Sequence, residues 1–81
     1  MISCEHHDYI EIVCLYNYRV RLILDSGAGL EGAAVDTGRN HSNEECIKIR
    51  VGSADNLVVL DSIKTMEVLV KNPHFNRVTF K

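Results

Sequence analysis

Three carboxylates, Glu5, Asp8 and Glu11, precede the first Lys or Arg of the chain, which is Arg19. Asp8 and Glu11 are spaced i,i+3, so a helix would project both from one side. Carboxylates without cations beside them suit a basic partner, and complementary charge steers such a partner in. Ile12 and Leu15 fall on the same helical side. The plain alternative is a solvated helix face, the usual place of charged side chains. Apolar residues among the acids favour a contact surface instead.

Cys4, His6, His7 and Cys14 are potential metal ligands by type. Their spacing does not match the paired Cys-x2-Cys or His-x3–5-His arrangement of common structural zinc sites. Wound as a helix, Cys14 turns toward the packed side, where a free thiol behaves as a small hydrophobe. Cys46 precedes a strand and reads as structural. No metal and no cofactor are expected. With four histidines and three cysteines in 81 residues, chance alone supplies Cys-His-Asp combinations. So small a chain also leaves little room for a water-excluding pocket. No enzymatic activity is expected.

Eighty-one residues make one domain, residues 1–81, with 46% apolar and 25% charged composition, as in an ordinary globular protein. The net charge of −2 does not suit a dedicated nucleic-acid binder. From Arg19 onward the remaining acids and bases nearly cancel. The odd cysteine count, the absence of a secretory signal pattern and the shortness of the apolar run Ile12–Tyr16 predict free thiols, a cytoplasmic location and no membrane span.

Tyr18 to Leu24 alternates, with Tyr18, Val20, Leu22 and Leu24 opposite Arg19 and Arg21, as a half-buried strand does. Ser26-Gly-Ala-Gly29 reverses the chain, and Leu30 to Val35 returns as a strand thinned by Gly32 and two alanines, where a sharp bend or bulge is expected. Asp36 to Glu45 reads as an exposed loop. Cys46 to Val51, Leu57 to Leu60, Thr65 to Lys71 and Arg77 to Lys81 read as further strands. Asp61 is placed to cap a short turn, and Pro73 ends the fifth strand. Val20, Leu22, Leu24, Ile47, Ile49, Leu60 and Val68 are the expected core, with Met66 and Val70 also inward. Short strands joined by glycine turns predict a small antiparallel barrel.

Residues 7–17 are ambiguous. Their β-branched and aromatic content favours a strand. As a helix, however, they sort Tyr9, Ile10, Val13 and Cys14 from Asp8, Glu11, Ile12 and Leu15. Asp8 near the first turn would suit the helix dipole.

Ile2-Ser-Cys4 followed by Asp8-Tyr-Ile-Glu-Ile-Val-Cys14 resembles the opening of Rho-binding antiterminators, the Rof family. The likeness continues through Val20 to Leu24 and the Gly27 turn, and resumes at Leu57-Val-Val-Leu-Asp-Ser-Ile63 and Met66 to Val68. The resemblance implies an α+β, mainly β fold: an Sm-like (SH3-like) small antiparallel barrel with an N-terminal helix. It implies a monomer that binds the N-terminal RNA-binding domain of the Rho hexamer at its primary RNA site, keeps RNA off and lowers termination. The residues implied for that contact are Glu5, His7, Asp8, Glu11, Ile12 and Leu15. Some members are more acidic where this chain has His6 and His7, whose protonation would weaken the acidic face.

The competing reading is an Sm-like RNA-binding protein, with Arg19, Arg21, Lys48 and Arg50 on outward strand faces. Neither a glycine-rich RNA loop nor an aromatic stacking pair is expected beside them. Such cations also serve simply to keep a sheet soluble. RNA binding is therefore not expected.

Overall fold

The computed structural model describes residues 4–80. The Ile2-Ser3 part of the N-terminal motif and Lys81 lie outside the described residues, and so does the side chain of Cys4. A helix α1, Cys4–Leu15, is followed by six strands: β1 Arg19–Leu24, β2 Gly29–Arg39, β3 Glu45–Val51, β4 Ala54–Val59, β5 Ile63–Val68 and β6 Arg77–Thr79. All pairings are antiparallel, in the order β4-β3-β2-β1-β5-β6. The ambiguous segment is thus helical. Ile10 and Val13 are buried, Tyr9 and Cys14 pack partly against the core, and Asp8, Glu11 and Leu15 face solvent. Tertiary packing of that apolar stripe overrides its strand propensity. The acid in the first turn is Glu5 rather than Asp8.

The end of α1 is set by Asn17, which takes the left-handed conformation (φ 52°). Asn17 N–H donates to the Cys14 carbonyl and Tyr18 N–H to that of Val13, the paired bonds of a Schellman cap. The Asn17 side-chain amide donates to the carbonyls of Cys14, Ala34 and Val35. One residue therefore both stops the helix and fastens it to β2.

β2 runs four residues further than expected, and Thr37 and Arg39 pair with Ile47 and Glu45. The exposed loop shrinks to residues 40–44 because β3 supplies ladder partners for that polar stretch. A bulge lies between Ala34 and Asp36 and leaves Val35 without a partner in β3. Gly32 is required for close approach: a Cβ there would collide with the Arg50 carbonyl and stand 2.8 Å from Ile49 Cγ2.

Val20, Leu22, Ile47, Ile49, Leu60, Met66 and Val68 are buried together with Ile10, Val13, Ala34, Val58 and Ile63. Leu24 is half-buried at the margin, where the β1–β5 register shifts. β5 ends at Val68 and Val70 is exposed, contrary to its expected inward position, because Asn72 organises the next residues as a turn. Its side-chain oxygen accepts from His74 and Phe75 N–H, and its amide donates to the Val70 and Phe75 carbonyls. β4 starts earlier than expected and Leu57 is exposed. Asp61 sits inside the 3-10 turn Leu60–Ser62, whose cap position is Val59, so it is not the cap.

Candidate functional site

α1 and the bulged part of β2 enclose an open groove of roughly 630 Å³. Asp8, Glu11, Ile12, Cys14 and Leu15 line it from the helix, and Val35, Asp36 and Thr37 from the strand. Val35 and Asp36 reach it because the bulge re-aims the strand, and the Asn17 bonds hold helix end and bulge together. The walls are mainly apolar, with three carboxylates at the margin. Leu15 is 74% exposed, the highest value among the large hydrophobic residues left in solvent. An exposed leucine that size beside free carboxylates is surface suited to a partner.

No ion pair is formed by Asp8, Glu11 or Asp36 among the described residues, although Asp36 Oδ1 accepts from Thr37 N–H at 2.8 Å. Cys14 feels the site. Burial, and secondly the charge of Asp36, push its thiol up to about 11. It is therefore protonated and a poor nucleophile at neutral pH.

The six residues implied by the sequence do not share one surface. Asp8, Glu11, Ile12 and Leu15 come together at the groove. His7 lies toward β3, with Nε2 3.0 Å from Glu45 Oε2, in a polar cleft that Arg39, Leu60 and also Glu11 line, so Glu11 stands between that cleft and the groove. Glu5 accepts the Tyr9 hydroxyl at 3.2 Å and sits near Phe75 and Arg77. Its carboxylate holds the Tyr9 hydroxyl above its usual range. Val35 and Asp36 were missed because a polar stretch after two alanines gives no periodic signal. The run of Gly32 and two alanines does signal a bulge, and the bulge lies at its end, between Ala34 and Asp36.

The outward arginines of the sheet are engaged differently. Arg21 contacts Glu31 at 3.0 Å and Glu67 at 2.9 Å, and Arg19 contacts Glu31 at 3.4 Å. Arg50 contacts Asp55 at 2.8 Å. These are direct cross-strand neighbours (Arg21 with Glu31 and Glu67, Arg50 with Asp55), so register itself pairs the charges. The guanidinium groups hold the Glu31 and Asp55 carboxyls below the usual range.

Tyr16 and Tyr18 form a stacked pair across the left-handed Asn17, with ring centroids 5.4 Å apart, and Tyr18 packs against the core. Among the described residues, no group of three or more His, Cys, Asp or Glu side chains is gathered to hold a metal ion. Cys14 and Cys46 are free thiols. No helix among them is long and apolar enough to cross a membrane.

Comparison with known proteins places this fold. A solved structure described as YaeO bound to magnesium, from Vibrio cholerae O395, is similar with a TM-score of 0.88 and 40% sequence identity, covering 91% of this chain and 96% of that one. No curated protein matches the chain. The family model described as modulator of Rho-dependent transcription termination (ROF) matches residues 1–80. With nearly the whole sequence inside that match, and an N-terminal helix on a six-stranded antiparallel sheet, the chain belongs to the ROF family of modulators of Rho-dependent transcription termination.

Proposed function

We propose that this protein lowers Rho-dependent termination by binding the N-terminal domain of Rho over its primary RNA site, so that RNA cannot load. It acts in the cytoplasm by occupancy, as a monomer and without catalysis. The contact face is the groove between α1 and β2. The observation that carries this reading is the set of three carboxylates that form no ion pair among the described residues, Asp8, Glu11 and Asp36, flanking apolar Ile12, Leu15 and Val35. A surface that receives RNA must present cations to phosphates. Carboxylates fixed on a rigid helix and a bulged strand can meet those cations, and exposed Leu15 with half-buried Ile12 and Val35 adds the desolvated contact that charge alone lacks.

Direct RNA binding is less well supported. Of the four cations on which that reading rests, Arg19, Arg21 and Arg50 already meet carboxylates within the protein. A phosphate would have to displace those partners.

The test is a titration of Rho with the protein in competition with single-stranded RNA, repeated at rising salt. Binding should exclude the RNA competitively and weaken with salt, since the Debye length is near 10 Å at 0.1 M. Simultaneous binding of protein and RNA to Rho would overturn the occupancy mechanism.

A further inference from the structure

Tyr16 occupies the C-cap of α1, one residue beyond Leu15 and four beyond Ile12, and 53% of it is exposed. Its N–H still donates to the Ile12 carbonyl, so it continues the helical spacing of the groove face by a further step. The ring stacks on Tyr18 at 5.4 Å with a 20° interplanar angle, and on His74 at 5.2 Å with 27°. Tyr18 and His74 are themselves only 6.3 Å apart. Rings stacked on opposite faces of Tyr16 would stand much further from each other than either does from Tyr16. Both therefore back the same face, and with 53% of Tyr16 exposed its ring is left accessible to a partner.

That accessible ring is held in place before any partner arrives. The Schellman bonds fix the helix end, and Asn72 fixes His74 through its N–H. Little side-chain freedom remains to be lost on binding, which favours affinity. An RNA site offers cations to phosphates and also flat side chains on which bases stack. The carboxylates answer the first of these needs. Ile12, Leu15 and Val35 have no flat face with which to answer the second.

Resting on the reading above that the partner is an RNA-receiving surface of Rho, we infer that Tyr16, backed by Tyr18 and His74, is a base-mimicking platform. It stacks on a base-stacking side chain of Rho's RNA site while Asp8 and Glu11 stand where phosphates would.

The full chain and its Tyr16→Phe, Tyr16→Leu and Tyr16→Ala variants should be titrated against Rho and against single-stranded RNA, with the melting temperature of each measured. Tyr16→Phe should bind Rho as the wild type does. Tyr16→Leu and Tyr16→Ala should each weaken binding by roughly 5- to 150-fold, the range that loss of one stacking contact gives, while remaining folded. A folded Tyr16→Leu protein with undiminished affinity would show that only apolar bulk matters and would overturn the platform. If reversing the charges of Asp8 and Glu11 abolishes Rho binding while Tyr16→Ala leaves it intact, the groove stands and the platform alone falls. A wild type that does not bind Rho overturns both. Direct RNA binding that Tyr16→Ala removes would overturn the inference in favour of a platform for RNA bases.

Discussion

The outer face of the sheet and the outer face of the helix both carry charged side chains and use them in opposite ways. Across β2, β1 and β5, Arg21 lies between Glu31 and Glu67, with Arg19 also on Glu31. Strand register places each charge beside its complement, and that face presents little net field. At the groove, Asp8, Glu11 and Asp36 have no such complement among the described residues and line the same surface as exposed Leu15. A surface neutralised from within serves solubility and register. One left unneutralised beside apolar residues is available to another molecule.

The largest expected effect breaks the helix side of that comparison. Replacing Asp8 and Glu11 together by Lys should cost several kcal/mol of Rho binding, because like charges are then brought together across the interface. Both residues are exposed, so folding stability should change by about 0.5 kcal/mol or less. Titration against Rho, with a thermal melt of the same variant, separates the two quantities. Undiminished affinity in the folded double variant would sink the proposed face. Asp36→Asn should weaken binding in the same direction and by less.

Next in size is a change that damages the sheet and leaves the acidic face chemically intact. Gly32→Ala forces a methyl group into the Arg50 carbonyl of β3, a backbone atom that cannot swing aside. Overpacking of this kind costs roughly 1–3 kcal/mol, and this site belongs at the upper end. Denaturant unfolding measures it directly. Rho affinity per folded molecule should stay near that of the wild type. An equally stable Gly32→Ala protein would mean that the β2–β3 approach is looser than described.

The sequence exposed the parts of the molecule that have a period. Val20, Leu22, Ile47 and Ile49 alternate with charged residues and are buried. Residues 7–17 were ambiguous by pattern, because propensity pointed to a strand while the two sides sorted as a helix, and only the family resemblance favoured the helix. The groove was half visible. Asp8, Glu11, Ile12 and Leu15 could be placed on one side by helical spacing alone. Val35 and Asp36 could not, because a bulge shifts the period and pairing with β3, distant in sequence, decides that residues 36–39 are strand. The Tyr16–His74 contact was invisible for the same reason: the two rings stand 58 positions apart in sequence, and a turn built by Asn72 brings them together.

A smaller effect tests the sheet face. Arg21→Gln removes both of its ion pairs, yet surface pairs contribute little to stability. The melting temperature at neutral pH should fall by no more than a few degrees, with Rho binding unchanged. Its signature should be in acid. The folded-state carboxyl of Glu31 is held below its ordinary value of 4.5 by its arginine hydrogen bonds, Arg21 first. Stability from that source is present above the unfolded value and is lost as pH falls through the folded one. The wild type should therefore lose stability faster than Arg21→Gln below about pH 4.5. Parallel acid limbs for the two proteins would show that Arg21 does not govern Glu31.

The smallest effect belongs to the groove and has the opposite sign. Cys14 is held up at about 11, against an ordinary value of 9.0, first by burial and then by the charge of Asp36. A thiol with a raised folded-state value favours folding while it is protonated. That contribution is complete below pH 9 and disappears as pH climbs toward about 11. Tyrosines also titrate in this range, so the comparison must be wild type against Cys14→Ala. Their stability difference should be flat up to about pH 9 and shrink above it. Alkylation by iodoacetamide near neutral pH, followed at the peptide that carries Cys14, gives a second measure. It should be much slower in the folded protein than in urea, because the reactive thiolate is scarce. Asp36→Asn should speed it modestly, since Asp36 is the lesser of the two causes. Bound Rho should slow it further by covering the groove. Folded-state alkylation as fast as that of the unfolded chain would mean that Cys14 is not shielded by the contact between α1 and β2, and that the groove does not have the walls on which Asp8, Glu11 and Asp36 are positioned.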